Sequence, residues 1–284
     1  MDHHVEITCL VDNAAGRGSS LWGEHGLAFL IEAGPVRLLF DTGQSGAVLL
    51  HNTGMLGLDP RTFDALAISH AHYDHTGGLP ALLEQVRHGL PLYAHSDLFQ
   101  ERFSRRQGKS TSIGMPLTRE ALAAQTTLHL SDQPQEVCPG IWTTGEITLR
   151  REPEGRSAPH VVKTQDGWAP DPYRDDMSLV VEVPGGLALL CGCCHAGLLN
   201  TLAHVGRTFD RPVVLIAGGT HLVSADAAHL RRVGETLLEL RSVQRLYLNH
   251  CSGEGAFHAL WLALGADVVR PCPAGTRLDL EALR

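Results

Sequence analysis

The order of apolar and polar residues along the chain predicts two successive regions in which strands are followed by helices. Residues 5–11 alternate apolar with polar side chains, as a half-buried strand does. Residues 27–32 and 37–41 flank the turn signal Ala33-Gly34-Pro35 and predict a hairpin. The other elements predicted in this half are strands at 63–69, 126–130 and 140–147 and helices at 46–55 and 79–86.

In the second half, short apolar runs alternate with segments of helical spacing. The predicted strands are 179–183, 187–191, 212–217 and 245–249, and the predicted helices are 195–205, 225–240 and 255–264. Strands followed by helices in two successive halves are typical of an α/β fold with two sheets sandwiched between helices. Because no segment has the composition of a flexible linker, we expect one domain over residues 1–284.

Two segments depart from this pattern. Residues 96–125 lose strand character and become basic, which predicts an inserted lid or a helical excursion. This segment either shapes a pocket or forms a homodimer contact, and the pattern does not choose between them. Residues 152–176 are polar and Pro-rich and predict a long surface loop, of a kind that is uncommon unless functional or mobile.

Charge and cysteine usage narrow the classes of partner and compartment. The formal net charge of −8 leaves no basic surplus for general nucleic-acid binding. One local basic cluster, formed by Arg102, Arg105, Arg106 and Lys109, is either an anion-binding surface or a solvated face. We expect no signal peptide and no membrane span, since the first residues lack a basic start and no apolar run is long enough. Seven cysteines without scaffold spacing then favour a reducing cytoplasm.

The run from Ser69 to Gly78 carries the chemistry. It holds three imidazoles and a carboxylate within six residues, as His70-x-His72-x-Asp74-His75, between a predicted buried strand and a helix. Such a group is typical of metal coordination, because imidazole suits zinc, iron or manganese and carboxylate adds a hard oxygen. Alternation points His70 and His72 the same way. Asp74 and His75, at the following turn, can reach a neighbouring ion about 3.5–4 Å away, as in two-metal sites.

This run is the signature of the metallo-β-lactamase superfamily, which the chain resembles over nearly its whole length. Further motifs occur in the family's order: Asp12-Asn13, Glu24-His25-Gly26-Leu27, Phe40-Asp41-Thr42-Gly43, Thr144-Gly145-Glu146-Ile147, Cys191-Gly192-Cys193-Cys194-His195, Gly218-Gly219-Thr220-His221-Leu222 and Asn249-His250-Cys251-Ser252-Gly253. Together they resemble the branch that takes its name from a dihydropterin-ribofuranosylaminobenzene-phosphate synthase. The resemblance implies an αββα sandwich with two metal ions in a cleft at the sheet edges.

The resemblance also implies a ligand set. His70 and His72 would join His195 on one ion, while Asp74 and His75 would join His250 on the other. The expected ions are Zn²⁺, with Mn²⁺ or iron as alternatives.

One departure from the family's pattern concerns the group between the ions. Common members carry a bridging aspartate where this chain has Gly192-Cys193-Cys194-His195. The bridge is therefore left open between Asp175, Asp176, Cys193 and hydroxide alone.

Three further residues stand beside these motifs. His221 follows a buried strand and two glycines, and it is either a substrate-contacting group or an ordinary turn histidine. His25 has the same two interpretations. Asp41 is expected to orient a ligand histidine through a hydrogen bond.

The leading functional hypothesis is a dinuclear hydrolase that uses a metal-bound hydroxide on a phosphorylated small molecule or phosphodiester. Asp74 would position metal and nucleophile, and His221 would protonate the leaving group. Within the same scaffold, the alternatives are the synthase reaction that the branch name implies and lactone or thioester hydrolysis. A different class, a non-hydrolytic metal-binding or diiron redox protein, is disfavoured because all six ligands are present and no flavin domain is attached.

Overall fold

The computed structural model describes residues 4–283, and its first sheet has six strands in the order β1-β2-β3-β4-β5-β8. Their bounds are β1 (Val5–Val11), β2 (Ala28–Ala33), β3 (Val36–Phe40), β4 (Ala65–Ala67), β5 (Leu90–Ala94) and β8 (Thr126–Leu130). The first three strands are antiparallel neighbours, and β3, β4, β5 and β8 run parallel. The predicted strand at 5–11 and the predicted hairpin are confirmed.

The second sheet has seven strands in the order β17-β16-β15-β14-β13-β10-β9. Their bounds are β9 (Glu136–Cys138), β10 (Ile141–Thr143), β13 (Ser178–Val183), β14 (Gly186–Cys191), β15 (Val213–Gly218), β16 (Arg245–Leu248) and β17 (Val269–Pro271). Strands β14 to β17 are parallel, so their carboxyl ends meet at one edge. That edge is where a site is expected in a sheet of this kind.

A third, four-stranded sheet corrects both predictions for the irregular segments. It pairs β6 (Arg102–Arg106) and β7 (Lys109–Ser112) with β11 (His160–Thr164) and β12 (Gly167–Pro170), in the order β12-β11-β6-β7. Residues 152–176 are therefore not a continuous loop, and 96–125 contains a hairpin. Because most of the side chains in these strands are solvent-exposed, no apolar alternation marked them in the sequence. Whether this hairpin acts as a lid stays a prediction.

Seven α-helices cover the outer faces of the sheets or lie within the loops between strands. They are α1 (Gly46–Met55), α2 (Tyr73–Thr76), α3 (Leu79–Leu83), α4 (Arg119–Ala123), α5 (Leu198–Thr208), α6 (Ala227–Leu240) and α7 (Glu254–Leu264) within residues 4–283. Helix α1 has the predicted bounds. Its N-cap is Ser45, whose hydroxyl accepts a hydrogen bond from the Val48 amide. Helix α6 begins in the same way at Asp226.

The apolar core lies in three layers that match the predicted sandwich. Strand β2 shows the alternation: Phe29 and Ile31 pack between the two large sheets, whereas Ala28 and Leu30 face α1 and α3. A third cluster lies between the second sheet and the helices α5, α6 and α7. The αββα arrangement follows from these three layers. Across residues 4–283, no helix combines the length and apolar character needed to cross a bilayer.

We expect Phe29→Ala to lower the free energy of unfolding by about 3–5 kcal/mol, since a fully buried ring is lost from between the sheets. The measurement is equilibrium urea unfolding at equal metal content. Leu262→Ala is the control, because Leu262 is 77% exposed and its loss should change the free energy by less than about 0.5 kcal/mol. Equal effects of the two substitutions would contradict the assigned core.

Candidate metal centre

The predicted metal ligands come from strand ends of both large sheets. His70 and His72 follow β4 in an extended loop, and Asp74 and His75 lie on the one-turn helix α2. The second sheet contributes His195 after β14 and His250 after β16. Sheet packing thus brings together the six side chains that the sequence predicted, and all six are buried: His70, His72, Asp74, His75, His195 and His250.

Two glycines allow this loop to lie against its neighbours. A Cβ on Gly77 would clash with the backbone oxygen of Gln44, and one on Gly78 with that of Thr42. The amide of Thr42 in turn donates to the His75 carbonyl at 2.8 Å. The Thr76-Gly77-Gly78 motif therefore lets the ligand loop pack tightly on the segment after β3.

The first group of donors consists of three imidazoles. The ligand atoms of His70, His72 and His195 lie within 4.8 Å of one another, and His70 Nε2 is 3.0 Å from His72 Nδ1. Burial lowers the pKa of all three rings well below the ordinary histidine value. The Nε2 atom of His195 is buried and has no hydrogen-bond partner within the described part of the chain, while its Nδ1 lies 2.7 Å from the Gly155 carbonyl, to which it can donate. This ring is oriented to offer Nε2 to a cation.

The second group consists of Asp74, His75, His250 and Cys193, whose ligand atoms also lie within 4.8 Å of one another. His75 Nε2 is 3.2 Å from His250 Nε2 and 3.2 Å from Cys193 Sγ, and Asp74 Oδ2 is 3.4 Å from His250 Nε2. A tetrahedral zinc ion with Zn–N bonds near 2.0–2.1 Å has ligand–ligand separations of about 3.3 Å. The spacing of this group therefore fits a metal ion.

The electrostatics of the second group also fit a cation. Burial opposes protonation of His75, but the carboxylates of Asp41 and Asp74 outweigh it and raise the pKa of His75 to about 9. Burial likewise opposes ionisation of Asp74, and His75 together with hydrogen bonds from His25 and His250 outweighs it, so the pKa of Asp74 falls well below its usual range. The surroundings thus favour positive charge, which a divalent ion would supply.

Two sets of hydrogen bonds hold the rings of the candidate ligands His75 and His250. Asp41 Oδ2 accepts from His75 Nδ1 at 2.7 Å, and Asp41 Oδ1 accepts from the Ser69 amide at 2.7 Å, so Asp41 makes the hydrogen bond to a candidate ligand histidine that its predicted orienting role requires. On the other side, the Asp12 carboxylate accepts from the His250 amide at 2.8 Å, and Asn13 Oδ1 lies 3.0 Å from His250 Nδ1. Such partners set the tautomer and direction of a ligand ring.

Among the three residues considered for the bridge, only Cys193 has its ligand atom in this group. Asp175 is occupied by an ion pair with Arg102 at 2.7 Å and by the Ala71 amide at 2.8 Å. Asp176 accepts from the Ala196 amide at 2.8 Å, which fixes the start of the His195 loop.

A cavity of about 730 Å³ opens over both groups. His221 lines it in a left-handed conformation (φ 49°), with Nε2 3.2 Å from Ser157 Oγ. Its Nδ1 is buried and has no hydrogen-bond partner among the residues that the structure describes. A Cβ on Gly155 would lie 2.6 Å from His221 Cβ, so glycine is needed there. His25 also lines the cavity, and its Nε2 contacts Asp74 Oδ2 at 3.2 Å.

Sequence reasoning missed His160, which lines the cavity, and Tyr173, which is buried beside His195, because both lie in the segment predicted as a loop. Tyr173 stacks on His195 with ring centroids 4.1 Å apart, and its hydroxyl lies 3.0 Å from His160 Nδ1. Only the proximity of tyrosine and histidine in a polar stretch could have signalled them.

The basic cluster divides into buried and cavity-lining residues. Arg102 is fully buried in ion pairs with Asp175 and, at 3.2 Å, Asp171. Arg105 lies outside the cavity lining, with its guanidinium 4.9 Å from the Trp168 ring centroid. Arg106 and Lys109 flank the hairpin turn and line the cavity. Two of the four residues therefore place positive charge beside the candidate metal centre.

Comparison with known proteins decides the family. The model of the metallo-β-lactamase superfamily matches residues 21–187, which is more than half of the chain. The chain belongs to the metallo-β-lactamase superfamily.

Individual relatives agree with this assignment. The 7,8-dihydropterin-6-methyl-4-(β-D-ribofuranosyl)-aminobenzene-5′-phosphate synthase of Methanocaldococcus jannaschii is 28% identical over 260 residues. The alignment covers 88% of this chain and 88% of the synthase. A crystal structure of a metal-dependent hydrolase of the β-lactamase superfamily aligns with a TM-score of 0.81 at 25% identity, covering 97% of this chain and 99% of the other. Zn²⁺-bound PqqB of Methylobacterium extorquens shares the fold, with a TM-score of 0.57, 11% identity and coverage of 97% and 100%.

We expect Asp41→Asn to weaken metal binding about 10–100-fold, since it removes the charge behind His75 while keeping the side chain's shape. Chelator competition followed by plasma mass spectrometry measures this. Asp59→Asn is the control, because Asp59 pairs with Arg61 on the surface, at 2.8 Å, outside both donor groups. Unchanged affinity in Asp41→Asn would contradict the orienting role of this carboxylate.

Proposed function

We propose that this member of the superfamily is a dinuclear metal-dependent hydrolase of a small phosphoester or phosphodiester. One observation carries the proposal: two adjacent groups of metal donors lie in a cavity whose wall also carries Arg106 and Lys109. The similarity to a metal-dependent hydrolase over 97% of the chain supports it. We also propose a cytoplasmic location and a single small molecule, rather than nucleic acid, as partner. Seven free thiols support the reducing compartment.

The proposed ligands are His70, His72 and His195 for one ion, and Asp74, His75 and His250 for the other. Imidazole-rich donor sets favour Zn²⁺, with Mn²⁺ or iron as alternatives. Two divalent ions held there would lower the pKa of a bound water toward neutrality and neutralise charge on the reacting oxygens.

The chain's own groups would bind and orient the substrate. Arg106 and Lys109 would donate hydrogen bonds to phosphate oxygens, and each charge-assisted bond contributes about 1.5–3 kcal/mol. His221, the predicted catalytic histidine, would give a proton to the leaving oxygen from Nδ1, because Ser157 holds its other nitrogen. Asp74 contacts His25, His75 and His250, and so would hold the donor atoms of the second group close together around their ion.

A second candidate is a synthase-like activity. It is favoured by the relative named as a dihydropterin-ribofuranosylaminobenzene-phosphate synthase, which aligns over 88% of both chains. The same cavity and basic pair would then bind a phosphoribosyl group. Product analysis after incubation with a phosphoribosyl donor and an aminobenzoate separates the two candidates, because only the synthase would join the two compounds.

We expect His72→Ala to lose both bound metal and turnover of bis-p-nitrophenyl phosphate, because it removes one of the three donors of the first group. Plasma mass spectrometry and the colorimetric assay are run on the same samples. The control is His258→Ala, on α7 and outside both donor groups. Wild-type protein with full metal occupancy but no turnover of this or any other phosphoester would overturn the proposed hydrolase.

We expect Arg106→Ala and Lys109→Ala each to raise KM for a phosphorylated substrate roughly 10-fold or more with a smaller change in kcat, since each removes one charged donor. Arg105→Ala is a matched control, because Arg105 lies on the same hairpin but stacks on Trp168 outside the cavity lining. An equal rise in KM for Arg105→Ala would show a general charge effect instead of phosphate binding.

A further inference from the structure

Three neighbouring parallel strands of the second sheet each end in a soft or borderline metal donor. Cys193 follows β14, His221 follows β15 and Cys251 follows β16. The strands pair in register in that order, so the three loops leave the same edge side by side. The two thiols and the imidazole offer ligand atoms within 4.8 Å of one another.

We propose that Cys193, His221 and Cys251 form a further site for a thiophilic divalent cation, which shares Cys193 with the second donor group. Two sulfur donors and one imidazole are a set that selects Zn²⁺ or Cd²⁺ over the hard ions Mg²⁺ and Mn²⁺. The same set is a weak partner for substrate oxygens, so the hydrolysis proposed above gives these two thiols no role.

Backbone contacts hold the donors in place. The His221 amide donates to Cys251 Sγ at 3.3 Å, a contact that favours a thiolate. Gly219 makes room for this sulfur, because a Cβ there would lie 2.7 Å from Cys251 Sγ. The His221 side chain brings a buried Nδ1 atom that has no hydrogen-bond partner among residues 4–283.

The site borders the cavity and adjoins the histidine groups. All three side chains line the large cavity, so an ion can reach them. Cys193 Sγ is also 3.2 Å from His75 Nε2, which puts this sulfur between the second donor group and the proposed site. A cation held here would occupy the imidazole that the proposed hydrolysis uses as its proton donor, so the two uses of His221 exclude each other.

The test is a Cd²⁺ titration of the purified protein, followed by sulfur-to-cadmium charge-transfer absorption and by bound metal after equilibrium dialysis. We expect Cys251→Ser to bind about one equivalent less Cd²⁺ than wild type and to lose part of the thiolate absorption. Cys138→Ser is the matched control, because Cys138 is also half-buried but lies on β9, outside the three candidate metal groups. It should behave as wild type.

A second variant distinguishes this site from the first histidine group. His72→Ala removes a donor of the first group and should leave the Cys251-dependent absorption intact, whatever happens to turnover. Equal Cd²⁺ binding and equal absorption in wild type and Cys251→Ser would overturn the proposed site. The proposed hydrolase would survive that result, since its ligands and assay do not involve Cys251.

Discussion

Asp41, buried at the end of β3, holds three hydrogen-bond donors of the ligand loop at once. Its carboxylate accepts from the Ser69 amide, the Ser69 hydroxyl and His75 Nδ1, each at 2.7 Å. Burying a carboxylate is unfavourable unless its oxygens are hydrogen-bonded, and these three hydrogen bonds offset the free-energy cost of burying Asp41. Asp41 itself has a left-handed backbone (φ 60°), which turns the chain toward Thr42 and the glycines of the ligand loop. Through this one group, the first sheet sets the direction of His75.

The second sheet completes the centre through an equivalent constraint. His250 is also left-handed (φ 49°), and Asp12 and Asn13 of the segment after β1 hold its backbone and ring. The residues after β1 thus reach across the sandwich to the end of β16. The candidate metal centre lies where the two sheets exchange such contacts, and neither sheet alone supplies the first or the second donor group.

The small third sheet adds positively charged side chains to the wall of the cavity. Its two hairpins come from segments almost fifty residues apart, yet β6 and β11 pair directly. The buried Arg102 joins them to the ligand loop, because Asp175 binds its guanidinium with one oxygen and the Ala71 amide with the other. The exposed end of the same hairpin carries Arg106 and Lys109 into the cavity wall. One basic run therefore serves both as an internal anchor and as a charged surface.

The sequence by itself predicted the αββα sandwich and the approximate places of most strands and helices in its two large sheets, and it singled out the six candidate metal donors that follow the strand ends. Apolar periodicity is a local property, and the histidine run is one short segment whose chemistry needs no partner to be recognised. Tertiary structure decided the rest. Arg102, Arg105 and Arg106 are close in sequence and alike in charge. Only packing decides that Arg102 forms buried ion pairs, that Arg105 makes a cation–π contact and that Arg106 lines the cavity. Likewise, Cys193, His221 and Cys251 become neighbours solely because β14, β15 and β16 are adjacent, and strand order is a long-range pairing that no local pattern encodes.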